Sequence, residues 1–62
     1  MTEYQNLPND PAMLLSFVNT QLRDNYPSFS EFVAAFHADA YAITEKLKMI
    51  DYEYDETQNQ FV

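Results

Sequence analysis

The sequence contains no glycine, no cysteine and no tryptophan in 62 residues, and only three basic side chains. Each absence removes a class of function. Without cysteine there are no disulfides, no thiolate nucleophile and no thiolate metal site. Without glycine there is no Gly-rich loop to cradle a phosphate group. Three lysines and arginines against ten carboxylates leave a net charge of −7. That field repels the phosphate backbones that supply most nucleic-acid affinity, and it disfavours anionic membrane surfaces. Apolar runs such as Ala12 to Leu15 are far too short to span a bilayer. Met1-Thr2-Glu3-Tyr4-Gln5-Asn6 has neither the basic start nor the apolar run of a secretory signal. The expectation is a cytoplasmic protein with no membrane contact and no direct binding of nucleic acid.

What is present reads as globular. Hydrophobic residues make up 47% of the chain and aromatic residues 16%, with five Phe and five Tyr, whereas disordered chains are poor in aromatics. The length allows one domain, near the lower end of what folds without staples. An expected stability of about 3–9 kcal/mol follows from the usual yield per residue. A core this thin leaves room for a homodimer that buries more apolar surface.

Residues 1–9 have no periodicity and read as an extended arm, from which Tyr4 and Leu7 can dock on a core. Asp10-Pro11 supplies an N-cap and a proline at the first helical position, opening a first helix over residues 10–25. Its apolar residues, Met13, Leu14, Leu15, Phe17, Val18 and Leu22, fill one broad arc, with Ser16, Asn19, Thr20 and Arg23 opposite. Pro27 ends it. Ser28-Phe29-Ser30-Glu31 has the form of a capping box and starts a second helix over 28–37, with Phe29, Phe32, Val33 and Phe36 on one stripe. Asp39 caps a third helix over 39–50, with Ile43, Leu47 and Ile50 at helical spacing and Tyr41 and Met49 flanking them. The period then changes to two. Tyr52 and Tyr54 alternate with Glu53 and Asp55, and Asn59 is able to take positive φ, which together predict a β-hairpin over 52–62. The fold class is therefore mainly α, a three-helix, helix-turn-helix-like core with a short C-terminal hairpin in the place of a wing.

No chemistry emerges from the side chains. Asp51, Glu53 and Asp55 begin like a calcium loop, but Glu56 and Val62 stand where that loop needs glycine and a bidentate glutamate. A single histidine, His37, makes no typical zinc site without cysteine and reads as a turn residue. No nucleophile–base pair can be assembled, and a core this small offers no cleft to push two carboxylates apart in pKa. No catalytic residue, metal or cofactor is expected, and the chain is not expected to be an enzyme.

What remains is surface. Ser16, Asn19, Thr20 and Arg23 line one face of the first helix. The plainer reading is a solvated face with Arg23 paired to a carboxylate such as Glu31. The other is a polar recognition patch in which the guanidinium grips a carboxylate. Tyr52 and Tyr54, with Phe61, are either hairpin core or an edge for strand addition. The third helix exposes only Lys46 and Lys48 as cations, flanked by Asp39, Glu45 and Asp51, which is poor equipment for reading DNA.

Leu7-Pro8-Asn9-Asp10-Pro11, Met13-Leu14-Leu15-Ser16, Val18-Asn19, Leu22-Arg23-Asp24, Tyr52-Glu53-Tyr54-Asp55 and Asn59-Gln60-Phe61 resemble a family of short bacterial proteins that form a domain of unknown function. Asp51 stands where members of that family often carry glycine, the usual residue of a left-handed helix cap. The resemblance implies a bacterial cytosolic protein and brings no activity, cofactor or ligand. The expectation is a non-enzymatic module that engages a protein partner or itself. The alternatives are an accessory DNA-binding or regulatory helix-turn-helix domain and an acidic mimic of nucleic acid.

Overall fold

Three side chains in this chain are placed to accept the free N–H groups that begin a helix, and all three do so. A computed structural model describes residues 7–62. The Asp10 carboxylate accepts from the Met13 amide at 3.0 Å and opens α1, Pro11–Asp24. The Ser28 hydroxyl accepts from the Glu31 amide at 3.2 Å and opens α2, Phe29–Phe36. The Asp39 carboxylate accepts from the Tyr41 and Ala42 amides and opens α3, Ala40–Lys48. The capping box at α2 is half made: among the described residues no bond runs back from Glu31 to the Ser28 amide. After α3 come β1, Tyr54–Asp55, and β2, Gln60–Phe61, paired antiparallel with Tyr54 opposite Phe61. Reciprocal bonds between Glu53 and Val62, at 2.9 and 2.8 Å, extend the ladder by one pair.

The buried core is Leu14, Val18 and Leu22 of α1, Phe32 of α2, Ile43 and Leu47 of α3, and Phe61 of β2. The α1 residues recur every fourth position, so one stripe of that helix faces the other elements. Aromatic rings carry the contact between α1, α2 and the hairpin. Phe32 and Phe36 lie 4.7 Å apart, and Phe29 meets Phe61 edge-on at 5.1 Å, a favoured arrangement of ring quadrupoles. Leu7 packs against this core, whereas Tyr4 lies outside the described residues. Met13, expected in the apolar arc, is 63% exposed, and Tyr41 and Met49 on α3 are 71% and 75% exposed. These three sit beyond the angular width that a seven-residue core can cover.

The missing glycines have a conformational consequence. Among the described residues three take the left-handed conformation: His37 at φ 52, Asp51 at φ 66 and Asn59 at φ 53. They are the non-glycine types that tolerate this region best. His37 closes α2: its amide bonds the Ala34 carbonyl and the Ala38 amide reaches back to Val33 at 3.0 Å, the paired bonds of a Schellman motif. Asp51 closes the turn after α3 in the same way, with Asp51 to Lys48 at 2.9 Å and Tyr52 to Leu47 at 3.0 Å. Asp51 therefore does what glycine does elsewhere. Exchanging Asp51 for Gly is expected to raise the unfolding free energy by about 0.5–1 kcal/mol, because the Cβ clash is relieved at some cost in unfolded-chain entropy. Urea titration of the variant measures it; no gain would show that this cap is unstrained.

Candidate functional site

The side chains singled out in the sequence separate into two groups, one turned into the structure and one left to solvent. Asn19 belongs to the first. Its Nδ2 donates to the Phe61 carbonyl at 3.1 Å and its Oδ1 accepts from the Phe61 amide at 2.8 Å. A helix side chain thus occupies the outer edge of β2 as a neighbouring strand would. Asn19 is half-buried and does not share the outer face with Ser16, Thr20 and Arg23.

Tyr54 is also structural. The Tyr26 amide bonds Gln21 instead of Leu22, so the Leu22 carbonyl lacks the partner a continuing helix would give it. Asn59 supplies it: Nδ2 donates at 3.0 Å to the carbonyls of both Leu22 and Tyr26. Its Oδ1 accepts from the Tyr54 hydroxyl at 2.6 Å, and that hydroxyl in turn accepts from the Phe29 amide at 3.2 Å. The Phe29 amide is one of the free donors at the start of α2. One Tyr–Asn pair in the hairpin therefore completes the end of α1 and the beginning of α2. Tyr52 packs half-buried against the core. Neither tyrosine is an exposed, unoccupied side chain.

Ser16, Thr20 and Arg23 form the second group, all exposed. Arg23 does not pair with Glu31. It forms a two-pronged contact with Asp24, Nε to Oδ1 at 2.9 Å and Nη2 to Oδ2 at 3.1 Å, because the neighbouring carboxylate is reached without crossing to α2. The shared hydrogen bonds hold Asp24 below its ordinary pKa and Arg23 above; both groups are fully solvated, so the pair adds little to stability. From Pro11 to Leu22 no residue carries a charge. Exposed Ala12, Met13, Ser16 and Thr20 therefore make a charge-free outer face, and Pro8, Met13, Ser16, Phe17 and Thr20 line a shallow groove along it. Sequence reasoning passed over Met13, which it placed in the core; the lack of charge was the available signal.

Two other concavities include groups already engaged elsewhere. A cavity of about 230 Å³ lies beside the turn between α2 and α3, walled by Leu14, Phe36, Ala38 and Ile43. Of the charged groups that line it, Asp39 caps α3 and Lys46 donates to the Asn9 carbonyl at 3.1 Å. An open acidic depression is lined by Asp51, Glu53, Asp55 and Glu56. The Asp55 carboxylate accepts from Gln58 at 3.0 Å and from the Thr57 amide at 2.9 Å, and these bonds hold its pKa below the ordinary value, Gln58 first. Among the described residues no three acidic or histidine side chains converge to hold a metal ion, and no helix is long and apolar enough to cross a membrane.

A family model described as a domain of unknown function, DUF4250, matches residues 8–61. The chain belongs to that family. No curated protein and no solved structure matches it. The span matched by the DUF4250 model includes Asn19, Tyr54, Asn59 and Phe61, so the bonds that fasten the hairpin all lie within it.

Asn59 shares the left-handed conformation of His37 and Asp51, yet Asn59→Gly is expected to act with the opposite sign. It leaves the Leu22 and Tyr26 carbonyls without the donor that Asn59 supplies and the Tyr54 hydroxyl without its acceptor, and lowers stability by about 2 kcal/mol. Asn19→Ala is expected to cost about as much, by the loss of two bonds to a part-buried strand. A urea midpoint unchanged in both variants would show that neither bond set matters. For Asp55, a lowered folded-state pKa means that its contribution is complete above the ordinary carboxylate range and lost as pH falls through the folded value. The Thr57 amide resonance is expected to titrate with a midpoint below that of an ordinary aspartate, and Gln58→Ala to move that midpoint upward.

Proposed function

We propose that this chain is a non-enzymatic protein-interaction module that engages its partner through the outer face of α1. One observation carries the reading: in a chain of net charge −7, the solvent-facing side of α1 from Pro11 to Leu22 bears no charge and serves no internal contact. An uncharged, part-apolar strip costs little to desolvate, whereas each carboxylate elsewhere on the surface would need a partner on burial. Met13 supplies a flexible apolar side chain of the kind used at adaptable interfaces. Ser16 and Thr20 supply short hydroxyls that hydrogen-bond without large entropy loss.

The outer side of α3, the helix that would read DNA in a helix-turn-helix protein, gives that alternative little to work with. It presents Tyr41, Glu45, Lys48 and Met49, between Asp39 and Asp51 at its ends. A single cation, Lys48, accompanies Glu45 there, and specific base recognition depends on arginine or lysine at both phosphates and base edges.

The test compares the full chain with a Ser16→Glu/Thr20→Glu variant as bait in a lysate of the host cell. Both positions are exposed and the variant is expected to keep the far-ultraviolet circular dichroism of the parent. The parent is expected to retain a protein that the variant releases by at least about tenfold, the effect of roughly 1.4 kcal/mol at the interface. Identical retention by the two overturns the α1 face as the docking surface. The parent is also expected to leave duplex DNA unbound at low salt.

A further inference from the structure

We infer that the cavity beside the turn between α2 and α3 binds a small zwitterion with an apolar body, an α-amino acid of the leucine class. Apolar side chains from all three helices, Leu14, Phe36 and Ile43, wall it, with Ala38 from the turn. Its volume is about 230 Å³. A cavity of about 150 Å³ lined by residues of this kind takes benzene, so the space admits a branched aliphatic or single-ring side chain. It lies below the ~300–1,000 Å³ that drug-sized ligands occupy. Binding there does not depend on the α1 face.

Two opposite charges in the lining, Asp39 and Lys46, select the head group. Lys46 is half-buried, and its Nζ donates to the Asn9 carbonyl at 3.1 Å, which uses one of three ammonium donors. The chain has ten carboxylates, yet among the described residues none lies within ion-pair distance of Lys46. Asp39 meets the Tyr41 and Ala42 amides through Oδ1 alone, which leaves Oδ2 to accept. Seven residues apart, Asp39 and Lys46 lie on one side of α3, about 10 Å from each other along its axis. They are too distant to pair together. An amino-acid head, about 3 Å across with a hydrogen bond of about 3 Å at each end, spans nearly that gap. The ligand carboxylate meets Lys46 and the ligand ammonium meets Asp39. A plain carboxylate of the same body would face Asp39 with a like charge, and a plain amine would face Lys46. His37, the remaining polar residue of the lining, closes α2 through its backbone.

Titration of the full chain with L-leucine, followed at the methyl resonances of Ala38, Ala42 and Ile43, tests the assignment. Saturable shifts are expected with a Kd on the order of 1 mM, within the efficiency of ligands this small. Isocaproate and isoamylamine keep the apolar body with one charge each, and free glycine keeps the head alone. All three are expected to bind at least about tenfold more weakly. Ala42→Leu, at an exposed helical position in the lining, is expected to fill the cavity and abolish the shifts while keeping the far-ultraviolet circular dichroism of the parent. Lys46→Gln keeps a donor for the Asn9 carbonyl and is expected to weaken leucine at least about tenfold without weakening isoamylamine. No saturation by about 20 mM leucine, either single-charge analogue binding as tightly as leucine, or a leucine Kd unmoved by Lys46→Gln overturns the assignment.

Discussion

The side chain of Asn59 is the junction on which the rest of this small fold depends. Its amide bonds the Leu22 and Tyr26 carbonyls at the end of α1, and its carbonyl oxygen takes the Tyr54 hydroxyl, which holds the first amide of α2. A two-stranded hairpin with strands of two residues is unstable by itself in water. Here it persists because it serves as the missing cap of two helices, and because Asn19 closes the free edge of β2. Each polar group in this set has a partner, and no buried side-chain nitrogen or oxygen among the described residues lacks one. A satisfied network of this kind rigidifies, whereas one broken member leaves several groups stranded in a low dielectric.

The energetics explain why so much is asked of a few amides. Helices of 14, 8 and 9 residues are at or below the length at which an isolated helix is marginal, and seven buried residues make a thin core. Phe61, one residue from the C-terminal end of the sequence given, is 1% exposed and stacks edge-on against Phe29. The hairpin thus contributes one of the largest buried side chains. Its attachment to α1 is as much a part of the core as the helix packing.

The helices were legible in the sequence because their signals are local. Asp10-Pro11, Ser28 and Asp39 act within three residues of themselves, and the fourfold spacing of Leu14, Val18 and Leu22 follows from helix geometry. The left-handed turn at Asn59 was legible for the same reason. The roles of Asn19 and Tyr54 were not. A bond from residue 19 to residue 61 leaves no periodic trace, so Asn19 read as part of a polar face when it is a strand edge. Arg23 was expected to pair with a nearby carboxylate such as Glu31, and the carboxylate that it engages is the adjacent Asp24. The DUF4250 match extends over this whole constellation and is silent on activity. The surface assignment consequently rests on what remains once the structural side chains are subtracted, which is the uncharged side of α1.

The central claim is that the hairpin belongs to the cooperative unit through its asparagine bonds. Native-state hydrogen exchange of the Phe61 amide, which donates to the Asn19 side chain, tests it most directly. The account predicts that Phe61 exchanges only with global unfolding, with a protection free energy equal to that of the Val18 and Leu22 amides in α1. Rapid exchange at Phe61 while α1 stays protected would show that the hairpin opens independently, and would contradict the claim.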